Sequence, residues 1–191
     1  MGQAIPTIEN TVLVESRYAR VERERRFLLR DMPEPLTRAS DHVQIWDNYI
    51  TGTRLRLRKI RTPRTKEWRM KLTQKYAPAP PDYSRTIITN TYLSAAEYAV
   101  LAVFEANEIR KNRHPFEHEG RRYSVDVFLG ALWGLVLAET DFETDEEMDA
   151  FDLPSFAVRD VTNDELFTGG KLVELTFEEL RNRLATSIPE R

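Results

Sequence analysis

The sequence predicts an α+β protein in which an eight-stranded antiparallel β-barrel forms a tunnel, with helices packed outside it. Two observations lead to this fold class: the alternation of residue types along the chain, and the turn signals that separate the alternating segments. Apolar and charged residues alternate with a period of two along most of the chain, as expected for strands with two different faces. In the segment TRLRLRKI, Arg54, Arg56 and Arg58 share one face, whereas Leu55 and Leu57 share the other. If helices cover the apolar face, the charged face turns into the lumen.

The alternation defines the strands in chain order. Residues 1–18 show no sustained period and are expected to form a loose leader, so that a single domain occupies residues 19–191. Within the domain, eight segments alternate: ARVERERRFLL, HVQIWDNYI, TRLRLRKI, EWRMKLTQK, RTIITNTYL, EIRKNRH, RRYSVDVFL and GLVLAETDFE. Proline-rich stretches and the EHEG turn separate these segments, which favours antiparallel hairpins over a parallel sheet.

Three segments predict helices. SAAEYAVLAVFEAN has Ser94 and Glu97 at the spacing of a capping box, followed by apolar residues at helical intervals. DEEMDAF places acidic residues at the start of a short helix after Thr144. TFEELRNRLATSI carries a second capping pair, Thr176 with Glu179. These helices are expected to pack against the outer face of the barrel.

Composition limits the classes of protein that the chain can represent. The 191 residues have a formal net charge of −3 and no cysteine, which excludes disulfides and thiolate metal sites. No apolar run is long enough to span a bilayer, and no N-terminal signal is visible, so we expect a cytoplasmic protein without a membrane partner. Charge is segregated: residues 54–75 hold ten Lys or Arg, and residues 139–152 hold eight Asp or Glu.

Acidic pairs on strands are candidate metal ligands. Glu22 and Glu24 in VERERRF point the same way, as do Glu139 and Asp141 in LVLAETDF. Hard cations such as Mg²⁺ or Mn²⁺ prefer oxygen ligands of this kind. Asp126 is a further candidate, because a carboxylate between Val residues needs a partner. A salt bridge from Asp126 to Arg56 or Arg58 is the alternative to metal binding.

The alternating basic residues are candidate ligands for a polyanion. Arg grips two phosphate oxygens with its planar fork, and Lys supplies a point charge. A nucleic acid is an unlikely partner, because the chain is net acidic and the basic strands do not display aromatic residues for base stacking. Mixed cations and carboxylates fit a metal-bound polyphosphate better.

Several short motifs together resemble the CYTH superfamily, also known as the triphosphate tunnel metalloenzymes. VERERRF is similar to the ExExK signature of that family, with Arg26 in place of the lysine. The motifs LRLRK, LTQK, RKNR, SVDVF, LAETDF and DVTND follow in the order of the family and span roughly residues 20–185. The family includes inorganic triphosphatases, thiamine triphosphatases and class IV adenylyl cyclases.

The resemblance implies a site as well as a fold. By position, a small triphosphate or polyphosphate would be held by Arg56, Arg58, Lys75, Lys111 and Arg113, and Mg²⁺ or Mn²⁺ by Glu22, Glu24, Glu139 and Asp141. Arg85 from the basic strands completes the candidate substrate-binding set, and Asp126, for its apolar surroundings, completes the candidate metal ligands. We expect Glu22, Glu24 and Arg26 of the signature strand to be catalytic. On the strand after Arg85, where the family often has glutamates, we expect Ile87 and Thr89 to face the tunnel.

The expected function is metal-dependent hydrolysis of inorganic triphosphate or a related small triphosphate. Two alternatives stay open at this point. One is a class IV type of adenylyl cyclase, which would need a nucleoside pocket. The other is a non-catalytic module that binds polyphosphate or a nucleotide. A homodimer is compatible with the sequence, which does not define an oligomeric state.

Overall fold

Eight long strands form a closed antiparallel barrel. The structure is a computed structural model, and it describes residues 17–188; most of the proposed leader therefore lies outside the described residues. The barrel strands are β1 (Arg20–Leu29), β2 (Val43–Ile50), β3 (Leu55–Arg61), β4 (Trp68–Tyr76), β5 (Arg85–Leu93), β6 (Ala106–His118), β7 (Arg121–Leu129) and β8 (Val136–Phe142). Their order around the barrel is β1-β5-β4-β3-β2-β6-β7-β8, and a short strand β9 (Arg159–Asp160) also pairs with β1.

Strand β1 closes the barrel because it pairs along both of its edges. Residues 20–23 pair with β5, and residues 23–29 pair with β8. The predicted barrel of eight antiparallel strands is therefore confirmed. The predicted hairpin between β6 and β7 is also present, and its two turn residues, Glu119 and Gly120, both have positive φ. A two-residue turn with this conformation matches the twist of the flanking strands.

The helices lie between or after the strands. They are α1 (Ala95–Leu101), α2 (Asp145–Asp149), α3 (Gly169–Leu172) and α4 (Phe177–Ser187), with 3₁₀ turns at Gly130–Leu132 and Glu165–Phe167. Both predicted capping boxes are formed, Ser94 with Glu97 and Thr176 with Glu179. No helix among residues 17–188 is long and apolar enough to cross a membrane.

Helix α1 is shorter than its apolar pattern predicts. It ends at Leu101, so Val103 and Phe104 lie beyond it. Val100, Val103 and Phe104 are all more than half exposed, and the predicted apolar face is not buried. The helix instead meets the barrel through Tyr98, whose hydroxyl accepts a hydrogen bond from the Asn48 side chain.

Two clusters of buried apolar side chains pack against the barrel strands. The first lies on the outer face of β1, β6, β7 and β8 and includes Phe27, Val125 and Ala138, each with no exposed surface. The second joins inward-facing residues such as Phe128 and Leu137 to residues after β9. Because this second cluster contains Phe167, Leu172 and Leu180 from the C-terminal segment, that segment covers one end of the barrel.

Candidate active site

A cavity of about 460 Å³ lies inside the barrel. Its size is that of a pocket for one small ligand. The lining includes the cations Arg26, Arg54, Arg56, Arg58, Lys71, Lys75, Lys111 and Arg113, and the carboxylates Glu22, Glu24, Asp47, Glu139 and Asp141. Eight cations and five carboxylates give this lining a formal charge of +3, whereas the whole chain carries −3. The lining of the cavity is therefore locally cationic although the chain as a whole is acidic.

Strand parity explains how the charges reach the cavity. Glu22, Glu24 and Arg26 alternate along β1 with side chains that face the other way. In the barrel, Glu24 lies opposite Asp141 of β8, and Arg26 lies opposite Glu139. Pairing between β1 and β8 therefore brings the two acidic motifs of the sequence together, although they are separated by more than 110 residues.

Glu22, Glu24 and Asp141 form the carboxylate-rich part of the cavity. Lys75 Nζ lies 3.3 Å from Glu22 Oε2 and 3.0 Å from Glu24 Oε2, and Arg26 Nη2 lies 2.6 Å from Glu24 Oε1. Burial would raise the pKa of Glu24, but Lys75 and Arg26 outweigh burial and lower it. Asp141 makes no side-chain hydrogen bond or ion pair with residues 17–188. Burial, followed by repulsion from Glu24 and Glu22, raises the Asp141 pKa.

These carboxylates fit a divalent metal ion by their chemistry. Directly opposed like charges on neighbouring strands are destabilising, and Glu24 and Asp141 stand in this relation. A hard cation between oxygen ligands would relieve the repulsion. Within residues 17–188, no three acidic or histidine side chains are already spaced as a ligand set. The carboxylate oxygens of Glu22 are paired with Arg20 and Lys75, and those of Glu24 with Arg26 and Lys75.

A second network links Arg26, Glu139, Arg113, Asp126 and Lys111. Glu139 bridges Arg26 Nε at 3.1 Å and Arg113 Nη2 at 2.5 Å. Asp126, with no exposed surface, accepts hydrogen bonds from Lys111 Nζ at 2.5 Å and from Arg113 Nε and Nη2 at 2.6 Å each. Burial would raise the Glu139 pKa, but Arg113, Lys111 and Arg26 hold it well below its usual value.

Asp126 does not lie on the lining of the cavity. Lys111 and Arg113 use both of its oxygens, so it positions two of the proposed phosphate ligands instead of facing a metal ion. The salt bridge expected as the alternative is also corrected, because the partners are not Arg56 or Arg58. Those two arginines lie on β3 and form ion pairs with a different carboxylate on β2.

That carboxylate is Asp47, a lining residue that the sequence reading missed. Asp47 is 1% exposed and receives hydrogen bonds from Arg58 Nε at 2.5 Å and Arg58 Nη2 at 2.7 Å. Arg56 Nε lies 3.5 Å from the same carboxylate and has no hydrogen-bond partner within residues 17–188. Burial would raise the Asp47 pKa, but Arg58 and Arg56 lower it far more. The alternation of HVQIWDNYI, which puts Asp47 on the opposite face from Trp46 and Asn48, could have identified Asp47 as a candidate lining residue.

Arg54 and Lys71 are lining cations outside the proposed set. Burial lowers the pKa of Lys71 to about 8, with further lowering by Arg58 and Arg56. An anion in the cavity would have the opposite effect, because it favours the charged amine. The neighbouring arginines thus disfavour the charged form of Lys71.

Arg85 lies on the outer face of the barrel. It pairs there with Asp82, Asp145 and Asp149 at 2.9–3.2 Å and is absent from the cavity lining. The reason is register: Glu22 faces the cavity opposite Thr86, so Arg85 faces away. We therefore leave Arg85 out of the proposed ligands.

The same register corrects the expectation for Ile87 and Thr89. Because side chains alternate along β5, the cavity-facing positions are Thr86 and Ile88, and both line the cavity. Neither carries a charge, and the Thr86 hydroxyl is buried without a hydrogen-bond partner in residues 17–188. The wall formed by β5 thus has no carboxylate of its own.

The fold and the lining define a class of protein: a β-barrel tunnel with a cationic interior beside a cluster of carboxylates. Comparisons with known proteins agree with this class. No protein-family model matches the chain. A curated inorganic triphosphatase of Acetivibrio thermocellus is 35% identical over 104 residues, which cover 49% of this chain and 65% of that relative. The chain thus spans a little under two thirds of the length of that relative.

Solved structures share the fold. One is a crystal structure of the inorganic triphosphatase NE1496, with a TM-score of 0.54, 22% identity and coverage of 80% of this chain and 93% of that chain. A second crystal structure, described as the hypothetical protein NE1496, has a TM-score of 0.55 at 22% identity and covers 81% and 99%. Together, these comparisons show sequence similarity to one inorganic triphosphatase and the same fold in two solved structures.

Proposed function

We propose that the chain hydrolyses inorganic triphosphate or a related small triphosphate inside the barrel. The observation that carries the proposal is the +3 lining beside the opposed carboxylates Glu24 and Asp141. A small cavity of this charge suits a compact polyanion, since charge-assisted bonds to Arg and Lys are strong and directional. The relative named inorganic triphosphatase supports the same activity.

Each part of the lining has a role in this proposal. Arg56, Arg58, Lys75, Lys111 and Arg113 hold the phosphates, and Arg26 contributes from the signature strand. Asp47 and Asp126 fix the directions of three of these side chains, Arg58, Lys111 and Arg113, through short hydrogen bonds. Such fixed cations stabilise charge that develops on phosphate oxygens, because they need no reorganisation during the reaction.

Glu22, Glu24, Glu139 and Asp141 are the proposed holders of Mg²⁺ or Mn²⁺. A divalent metal bound there would polarise the phosphate chain and lower the pKa of a bound water. Lys75, which pairs with one oxygen of Glu22 and one of Glu24, and Arg26, which pairs with the other oxygen of Glu24, would turn to phosphate when the carboxylates bind a cation. Exchange of partners between Lys75, Arg26 and the ligands therefore couples metal and substrate binding.

Phosphate release from tripolyphosphate tests the proposal directly. The protein is assayed with tripolyphosphate and with ATP, each with Mg²⁺, Mn²⁺ or a chelator. We expect metal-dependent release that falls at least about 100-fold in Arg56→Ala and in Glu139→Ala, because each removes a charged contact in a buried site. Arg85→Gln is the matched control, since it removes an arginine from the outer face of the same barrel. Full activity in both cavity variants would sink the proposal.

Binding measurements separate catalysis from mere capture. If no phosphate is released but tripolyphosphate raises the melting temperature of the wild type, the cavity binds without hydrolysis. If cyclic AMP forms from ATP instead, the reaction is a cyclisation. Either result replaces the hydrolase assignment with one of the two alternatives that the sequence leaves open.

A further inference from the structure

The outer face of the barrel carries an aromatic and basic surface that the proposed reaction does not use. Trp46 of β2 and Trp68 of β4 meet across β3, with ring centroids 5.5 Å apart and ring planes 33° apart. Lys59 Nζ lies 5.3 Å from the centre of the Trp46 ring, and the Arg61 guanidinium lies 5.9 Å from that of Trp68. We call these four residues the tryptophan surface.

The surface is separated from the cavity by the sheet itself. Trp46 pairs with Lys59, and Arg61 pairs with Trp68, so all four side chains lie on one face. The intervening positions, including Asp47 and Arg58, point into the cavity. Trp68 is 47% exposed, so part of its ring is open to a partner.

The cations around this surface have no acidic partners. Among residues 17–188, no ion pair is formed by any of four basic residues on β3 and the turn after it: Lys59, Arg61, Arg64 and Lys66. Arg61 makes one long hydrogen bond, of 3.4 Å, to the Gln44 amide oxygen. Elsewhere on the exterior, arginines such as Arg85 and Arg121 are paired with carboxylates. The unpaired charge here is complementary to an anionic partner.

We propose that the tryptophan surface binds single-stranded nucleic acid. Indole rings stack on bases without regard to sequence, and neighbouring Lys and Arg side chains contact the phosphates. A duplex hides its base faces, so the open ring of Trp68 favours a single strand. The sequence argues against nucleic acid because each basic strand has few aromatic residues, but the barrel places one tryptophan from β2 beside another from β4. This binding is independent of the proposed hydrolysis.

Fluorescence anisotropy with labelled oligonucleotides of about 12 nucleotides, a length within known single-strand site sizes, tests the proposal. Oligo-uridine RNA and oligo-thymidine DNA are compared in the presence of a chelator and saturating tripolyphosphate, which keeps oligonucleotide phosphates out of the cavity. We expect Trp68→Leu to weaken binding about tenfold, the loss expected for one base stack, and Trp68→Phe to retain most of it. Trp133→Leu is the matched control, because Trp133 is also 47% exposed and is contacted by Arg38.

Salt dependence distinguishes stacking from charge. Each phosphate contact to a single strand contributes about −0.7 to the slope of log K against log salt. A double variant, Lys59→Gln with Arg61→Gln, should reduce the steepness of that slope by about 1.4. Trp68→Leu should weaken binding without changing the slope. Circular dichroism and melting curves establish that each variant is folded.

Three results would overturn the proposal. The first is the absence of binding by the wild-type protein at about 50 mM salt, a concentration at which phosphate contacts are still only weakly screened. The second is equal binding by Trp68→Leu and Trp133→Leu. The third is loss of binding to vesicles of anionic lipid in Trp68→Leu while oligonucleotide binding is unchanged, which would identify a membrane surface as the partner.

Discussion

Replacing Asp47 by Asn should both destabilise the protein and strengthen its response to a polyanion. Asp47 is 1% exposed and neutralises part of the charge of Arg58 and Arg56. The amide has nearly the same shape, so the variant removes the negative charge with little change in packing. It leaves the Arg58 guanidinium, which is itself 7% exposed, with at most one good acceptor from residue 47.

The expected loss in the free energy of unfolding is about 3 kcal/mol. Breaking a buried ion pair by removing one partner costs about 3–5 kcal/mol. The lower end applies because Arg58 lines the cavity, where water can approach it, and because the Asn oxygen still accepts a hydrogen bond. For a chain of this length, that loss corresponds to a melting temperature lower by about 6–12 °C.

The pH dependence of the difference follows from the Asp47 pKa. That pKa is lowered in the folded protein from its ordinary value of 3.8, so the stabilisation is fully present well above pH 3.8 and is lost as the pH falls. At pH 3 the difference between wild type and variant should be smaller by about 1 kcal/mol than at pH 7. Protonation of Asp47 in the unfolded chain is the cause.

Urea unfolding of both proteins at pH 7 and pH 3 measures these quantities, with Asp152→Asn as the control for an exposed carboxylate. The control should change the free energy of unfolding by less than about 0.5 kcal/mol. Tripolyphosphate should raise the melting temperature more in Asp47→Asn than in the wild type, because the variant cavity carries one additional positive charge. A variant as stable as the wild type would refute the role given to the Asp47 pair.

Three further predictions concern the lining and its supports. Asp126→Asn should lower the free energy of unfolding by about 3 kcal/mol in urea titrations, because it leaves the buried Lys111 amine short of charge compensation; an unchanged midpoint would contradict this. At pH 8, Lys71→Met should reduce the proton uptake on tripolyphosphate binding by about half a proton, measured by calorimetry in several buffers, and at pH 6 the difference should vanish. Gly169→Ala should cost about 1–3 kcal/mol, because its Cβ would lie 1.9 Å from Tyr49 Oη; adding Tyr49→Leu should remove most of that cost, and equal costs in both backgrounds would exclude the clash.

Strand faces were predictable because the period of two is a local property of extended backbone. Glu22, Glu24 and Arg58 all reach the cavity as their positions in alternating segments predict. The start of α1 was predictable for the same kind of reason, since a capping box lies within four residues. The end of α1 was not, because exposed Val103 and Phe104 continue the apolar pattern without any barrel surface to cover them.

The errors at Arg85 and Asp126 have a common cause. The face that Arg85 occupies depends on its register with β1, and a shift of one residue reverses every side chain on the strand. The partners of Asp126 depend likewise on register, which places Arg113 directly opposite Asp126 on β6, with Lys111 within reach. The EHEG turn predicted that β6 and β7 form a hairpin, but the register across the hairpin was not predicted.

The sequence by itself determined which residues alternate, where three helices begin and how charge is divided between the faces of each strand. Only the tertiary structure decided that β1 joins β5 and β8, that Asp47 holds Arg58, and that tryptophans from β2 and β4 meet on the outer wall. The physical reason is the range of the interactions. Side-chain direction follows from backbone geometry within a few residues, whereas partners across a barrel follow from register and closure over the whole chain.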